Sequence, residues 1–599
     1  MQSFRIHSTL AREVTIWSRR DAAVPRELFA VKCEAPDLSG VAVPLPARKK
    51  DYTCFADAGK ALWLGAPNGV TRYEANAERD ADRVMYFCAE RDLADNDVKA
   101  IWCDGTEPES VWVLTAKGAS HIVLREISAE KKAEILTAET LSYVDRHGMV
   151  TQRELTVPRE LSSRVPYGHS DNSGTFTAGF AVGELCRYAV MKRERGENDP
   201  KTIEARANAL RATEATLLLM YIAGRGDGFV ARTYVTSAEP VPDDGLFYRK
   251  TGGKATCLPT SEARAKGLVG KVIDASAPVP DRLAKYYRDE GFTDDDIIYK
   301  GDTSSDEITH HYWLIYFAHE ILGAEDPELD ELMKTAAKAT MAHILDHGCE
   351  LHECNGKPTT WAKWSESYFR SPIGWSDACL NAAEILMYLK VVMHITGETG
   401  RWKEAYDELV NKGYAKLTAL HDARFHMSAQ TQRLEQVEEL MYGDNMLATC
   451  SYWLLIALED DPDLKETYRK GYQGWDGTFR REHNPIYDFA YLLSCPEKTV
   501  DTEKLIDWFR RFHVTRLTSS VSVAERYDVP LRRRFGGMEE TSWLLTPDEH
   551  YITKYDRNPY AYGGWCSLRV VESCYPYTCA YWLGRYYGII EREEEEHVR

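Results

Sequence analysis

The chain has 599 residues, 44% of them hydrophobic and 28% charged. This excludes collagen-like, wholly disordered and single-small-domain proteins and allows about four domains, or fewer large ones. Lys plus Arg number 74 against 93 Asp plus Glu, a net charge of −19 with no sustained basic patch, so nucleic acid and anionic membranes are not expected partners.

The 14 cysteines are scattered and form no CxxC pair, which predicts buried free thiols rather than zinc or redox chemistry. The opening MQSFRIHSTLAREVTIW has no apolar h-region, and no uncharged apolar run approaches the length of a bilayer span. A reducing cytoplasm is the expected location, or the periplasm or exterior if a signal peptide has been removed. The 15 Trp and 34 Tyr supply core and can also line a sugar-binding cleft, where the apolar face of a pyranose stacks on an aromatic plane.

Taken in chain order, the first quarter reads as strands. ALWLGAPNGVTRY (61–73) and SVWVLTAKGASHIV (110–123) each enter a strand through a Trp, turn at a Gly and return, and Trp63 and Trp112 stand 49 positions apart, the size of one four-stranded propeller blade. LADNDVKAIWCDG (93–105) lies between them. These stretches resemble propeller repeats of bacterial sensor proteins. Two blades cannot close a ring, so residues 1–150 are expected to bury Trp63 and Trp112 against the rest of the chain.

From about residue 170 the apolar period becomes helical, over 175–193, 201–224, 306–322, 329–348, 377–397, 401–417 and 444–459, ending in TCAYWLGRYYGII (578–590). Several of these stretches stop at Gly, as helix C-caps do. The helices pair through short links with no strict repeat of 34 or about 40 residues, which argues against an open solenoid and for a closed ring of roughly six hairpins. The expected fold is mainly α: an α/α toroid over residues 151–599 with an N-terminal all-β, propeller-like segment over 1–150.

The ordered set YGHSDNSGTFTAGF (167–180), DGFVARTY (227–234), YKGDTSSDEITHHYW (299–313), GKPTTWAKWS (356–365), LNAAEILMYLKV (380–391), HNPIYDFAY (483–491) and YWLGRYYGII (581–590) resembles bacterial carbohydrate-active toroids of the six-hairpin glycosidase type. It is similar, more weakly, to toroidal polysaccharide lyases directed at glucuronate. The resemblance implies an oligo- or polysaccharide substrate.

Three sets of residues carry candidate chemistry. His169, Asp171 and Asn172 precede the helix at 175, where Asp171 or Ser173 can also serve as a simple cap. Asp302 and Glu307, followed by His310, His311 and Tyr312, open the helix at 306. There Asp306/His310 and Glu307/His311 stand at i and i+4, so each carboxylate can orient an imidazole for proton transfer. No HxxxH spacing occurs in this segment, and neither metal nor cofactor is expected. The third set is dispersed: Arg232, Trp361, Lys363, Trp364, Asp444 and Arg534, with Arg as a bidentate carboxylate grip and Trp as a stacking face.

Two chemistries fit this inventory. The main reading is β-elimination at a uronic-acid glycan, with a cation to neutralise the sugar carboxylate and His or Tyr as base and acid. The alternative is hydrolysis by paired carboxylates, Asp302 with Asp444 or Glu307 with Asp171. A non-catalytic glycan-binding protein is the second alternative.

Overall fold

The computed structural model describes residues 2–89, 91–165, 167–420, 442–476, 480–518, 525–533, 539–550, 558–561 and 568–592. The N-terminal part holds eight strands: β1 (Thr9–Ser18), β2 (Cys54–Asp57), β3 (Leu62–Ala66), β4 (Gly69–Tyr73), β5 (Val84–Phe87), β6 (Val98–Cys103), β7 (Ser110–Thr115) and β8 (Gly118–Ile127). They make two four-stranded antiparallel sheets, in the orders β2-β3-β4-β5 and β1-β8-β7-β6. The β3–β4 and β7–β8 hairpins turn where the sequence places them, through two-residue loops closing on Gly69 and Gly118, and Gly69 supplies the positive φ of +128° that one of them needs.

The two sheets share a core of Cys54, Trp63, Val70, Phe87, Val98, Ile101, Val111 and Ile122. Gly65 permits this approach, since a Cβ there would stand 2.6 Å from both Cys54 Sγ and Val98 Cγ1. The expectation that Trp63 and Trp112 need the helical part for burial is therefore corrected. Trp63 is covered between the sheets, and Trp112 packs with Val24 and Leu28 and stacks on Trp17 at 5.0 Å. Among the described residues these sheets close into no barrel. The second one is completed by β1 from the start of the chain, which differs from a plain repeat of the first.

The remainder is rich in helix. Long helices are α1 (Ala129–Tyr143), α2 (Ser173–Arg195), α3 (Pro200–Leu218), α4 (Asp281–Arg288), α5 (Ser305–Leu322), α6 (Pro327–Asp346), α7 (Gly374–Thr396), α8 (Gly400–Asn411), α9 (Tyr442–Leu458), α10 (Pro462–Gln473), α11 (Pro485–Ser494), α12 (Thr502–Arg511) and α13 (Tyr575–Tyr586). Helices α3, α6, α10 and α11 all start in the same way. Asp199, Asp326, Asp461 or Asn484 caps the first turn with its side chain, and a Pro follows at N1, where the missing N–H costs nothing.

Contacts between helices run in a closed circuit: α2 packs on α5, α5 on α7, α7 on α9, α9 on α11, α11 on α13, and α13 back on α2. The others flank it, with α3 against α2, α6 against α5 and α7, α8 against α7, α10 against α9 and α1 against α13. A small residue lets α2 and α13 come close, because a Cβ on Gly183 would stand 2.9 Å from the Cys579 backbone. Phe4, Ile6 and α1 also bury into this helical core.

Helix α7 is long and apolar enough to cross a membrane by length and composition, although Asp377, Glu384 and Lys390 interrupt it, so it is no uncharged run. It is a member of the circuit, buried over 83% of its apolar window, and a helix covered over most of its surface is apolar over most of it.

One element was not foreseen. Between α3 and α5 lie β9 (Tyr234–Thr236), β10 (Phe247–Thr251), β11 (Lys254–Cys257), β12 (Val272–Asp274) and β13 (Ile297–Lys300), in a five-stranded sheet of order β9-β13-β10-β11-β12. Its registers pair Tyr234 with Tyr299 and Phe247 with Lys300. Arg232 before β9, Asp244 before β10 and Asp302 after β13 consequently emerge at one end of the sheet.

Candidate functional site

That end of the sheet meets the first turns of α2 and α5. Lys300, 1% exposed, closes the apolar strand β13 and donates from Nζ to Asp171 Oδ1 at 2.5 Å and to the Asp244 carbonyl at 2.8 Å. Arg232 donates from Nε to the Asp171 carbonyl at 2.9 Å, and its terminal nitrogens lie 3.8 Å from Asp171 Oδ2 and 3.7 Å from Asp306 Oδ2. His169 Nε2 pairs with Asp244 Oδ2 at 2.8 Å while its ring meets Phe247 edge-on. Asp171 is thus no cap. The N-cap of α2 is Asn172, and its side chain makes no capping bond.

Asp302 stands beside this pair of cations without taking a hydrogen bond from either: its Oδ1 is buried with no hydrogen-bond partner. Burial pushes its acid up to about 6, against the pull of Lys300 and Arg232. Ser304, not Asp302, is the N-cap of α5, so capping does not account for this acid. Glu307 lies inward of it. Thr175 Oγ1 donates to Glu307 Oε1 at 2.7 Å, Oε2 has no hydrogen-bond partner, and burial followed by the Asp306 charge raises the acid well above the usual range. The space for this carboxylate exists because residue 174 is Gly, where a Cβ would stand 2.4 Å from Glu307 Oε2.

The histidines are placed differently from expectation. His310 and His311 are each 1% exposed, and their Nδ1 atoms face the backbone carbonyls of Asp306 and Glu307, at 2.8 and 2.7 Å, rather than the carboxylates. An imidazole at i+4 reaches the carbonyl of residue i more readily than its side chain, which on α5 points elsewhere. His311 Nε2 faces the Thr216 carbonyl at 3.2 Å, and burial lowers His310 to about 4. Tyr312 is fully buried, stacks on Tyr388 and donates to the Ala337 carbonyl. These three side chains belong to the packing of α5.

Among the dispersed residues, Trp364 is fully buried and donates from Nε1 to Glu384 Oε2 at 2.8 Å, so it offers no stacking face. Trp361 is 51% exposed, and Lys363 Nζ lies 5.7 Å from the Tyr368 ring. Asp444, in the first turn of α9, acts electrostatically on Glu384, as does Asp306. Arg534 lies outside the described residues.

The structure thus gathers Asp171, Arg232, Asp302 and Glu307, with His169 at the margin and Asp444 toward α7. Sequence reasoning missed Lys300, Asp244 and Glu384. Lys300 ends the otherwise apolar run IIYK, and Glu384 interrupts AAEILMYL on the buried stretch of α7. A charge inside an apolar run is the signal that could have found both. Glu384 is raised to about 8 by burial, though Trp364 and Thr309 donate to it. No three-ligand metal set occurs at this site among the described residues.

No protein-family model matches the chain, and no curated protein matches it. Among solved structures, it overlaps GH family 9 endoglucanase J30 with a TM-score of 0.38 at 10% identity, over 87% of this chain and 94% of that one. A Bacteroides ovatus GH9 structure gives 0.30 at 11% identity over 82% and 94%. A metagenome-derived glycoside hydrolase family 9 endoglucanase gives 0.28 at 10% identity over 98% of both. Overlap at this level transfers no residue roles, and the site is read from its own geometry.

Proposed function

We propose that this chain is a carbohydrate-active enzyme, a glycoside hydrolase acting on an oligo- or polysaccharide, with Asp302 as general acid and Asp171 as the opposing carboxylate. The closed circuit of six helices supports reading the fold as an α/α toroid, with the site at the first turns of α2 and α5. The observation that carries the proposal is Asp302: a carboxyl raised to about 6 by burial, with an oxygen that has no hydrogen-bond partner, next to an Asp171 held by Lys300 and Arg232. A proton-bearing acid beside an ion-paired carboxylate is the division of labour that glycoside hydrolysis requires.

Elimination, the first reading from sequence, finds less support. Arg232 is engaged with Asp171 and Asp306, so a sugar carboxylate would have to displace one of them. His311 and Tyr312, offered as base and acid, spend their polar atoms on backbone carbonyls inside the core. We further propose that residues 1–150 are a β-rich segment held on the toroid formed by 151–599. The free thiols of the described cysteines support a reducing, cytoplasmic location.

Product analysis tests the reaction. Neutral and glucuronate-containing glycans incubated with the protein should release reducing ends without absorbance near 235 nm. Absorbance appearing in step with cleavage would show an unsaturated uronate and restore elimination.

A further inference from the structure

We propose that His319, Glu320 and His394 form a binding site for a divalent transition-metal ion, zinc being the probe of choice, that straps α5 to α7. His319 and Glu320 sit near the C-terminal end of α5 and His394 near that of α7, neighbours in the helical circuit. One ring nitrogen of each histidine and one carboxylate oxygen of Glu320 lie within 4.8 Å of one another. Two imidazoles and a carboxylate are a donor set for a first-row divalent ion, with water completing four-coordination.

Tetrahedral zinc with bonds of about 2.0–2.2 Å needs its donors roughly 3.3 Å apart. Glu320 and His394 are exposed and can close that distance by small torsional changes. His394 Nε2 and Glu320 Oε1 already face each other at 2.8 Å, and the ion would take the place of the proton between them.

A second observation concerns His319. Asp330, on α6, sets Oδ1 2.6 Å from His319 Nδ1 while its Oδ2 holds Lys334 at 2.6 Å. A carboxylate on Nδ1 favours the tautomer whose Nε2 lone pair is available, the arrangement that orients metal-bound histidines. Gly323 leaves room for the pair: a Cβ there would stand 3.0 Å from Asp330 Oδ1 and 3.2 Å from His319 Nδ1. The ligands come from two helices 75 positions apart in sequence, His319 and His394, so no local spacing announces them. At 1.5 Å per residue, Glu320 lies about 20 Å along α5 from Glu307. The ion would stabilise the ring rather than take part in turnover.

The test uses the full chain, stripped with chelator and titrated with zinc chloride by calorimetry, with cobalt(II) as the spectroscopic probe. The expected result is one site per chain, a rise in Tm with zinc, and cobalt bands typical of nitrogen and oxygen donors. His394→Ala and Glu320→Gln, both at exposed positions that leave the fold intact, should each lower the affinity at least tenfold and abolish the Tm rise. Asp330→Asn should weaken binding about 10- to 100-fold. Zinc affinity unchanged in His394→Ala and Glu320→Gln, a thiolate band in the cobalt spectrum, or no binding by the wild type would each overturn the site.

Discussion

Two charge clusters, one joining the sheets to the C-terminal segment and one at the first turns of α2 and α5, treat the same chemical group in opposite ways. Asp548 is buried and Asp302 half-buried with its Oδ1 out of solvent, each beside two cations, and burial alone would raise both. Asp548 is instead held below the ordinary carboxylate range, because Arg511 Nε donates to its Oδ2 at 2.9 Å and Arg12 donates to the same oxygen. Around it Arg511 also reaches Glu549, Arg526 bridges Glu549 and Asp528, and Arg510 holds Asp82. Every acid there meets a guanidinium directly. Beside Asp302 the cations are committed elsewhere, Lys300 to Asp171 and the Asp244 carbonyl, Arg232 to Asp171 and Asp306. Proximity of a cation does not decide a carboxyl's proton affinity when its hydrogen bonds go to another acceptor. A matched cluster holds two parts of a fold together, and an unmatched acid is available for proton transfer.

Breaking the unmatched acid should have the largest effect. Asp302→Asn is expected to lower kcat by about 10²- to 10⁴-fold, the range for a positioned acid, with the circular dichroism spectrum unchanged. Asp302 has a folded-state pKa of about 6, above its unfolded value, so the folded chain holds this proton more tightly. Its contribution to stability is present below about pH 4, declines as pH rises to about 6 and is lost above. Urea unfolding at pH 4.5 and 8 should show that decline in the wild type and a smaller one in Asp302→Asn. Activity of the wild type should fall as pH rises through about 6. Full activity in the variant would remove Asp302 from the mechanism.

Breaking the matched cluster should do the reverse. Arg511→Met leaves Asp548 and Glu549 short of one partner in a buried setting and should cost about 3–5 kcal/mol of stability, read from denaturant midpoints. Turnover per folded molecule should hold near the wild-type value. A fall in kcat as steep as that of Asp302→Asn would mean that the two clusters are coupled.

The smallest effect concerns substrate alone. Trp361 is half exposed on the strand Pro358–Lys363, and Trp361→Ala should raise KM by about 3- to 10-fold, the worth of one aromatic stacking contact, with kcat and Tm unchanged. An unaltered KM would make Trp361 an ordinary surface residue.

The amino-acid sequence by itself determined the helices, because apolar period and caps are local. The segments read at 175–193, 306–322 and 377–397 fall within a residue or a few of α2, α5 and α7, and the Asp-Pro starts are side-chain chemistry of neighbouring residues. It also determined the two N-terminal hairpins, through their turn glycines. The sheet over 234–300 escaped, although FYRKTGGKATC carries a Gly-Gly turn, because its strands pair across long insertions and alternate too briefly to show a period. In the site, sequence marked Asp171, Asp302 and Glu307 as polar residues at helix starts and Arg232 as a carboxylate grip. Only the tertiary structure decided their chemistry. Lys300 reaches Asp171 across 129 positions, and Gly174 leaves the space that Glu307 fills. The core closing over His311 and Tyr312 turns expected acid–base groups into packing. Proton affinity depends on what surrounds a group in three dimensions, on burial and on which neighbour takes the nearby hydrogen bonds, and none of these is a property of local sequence.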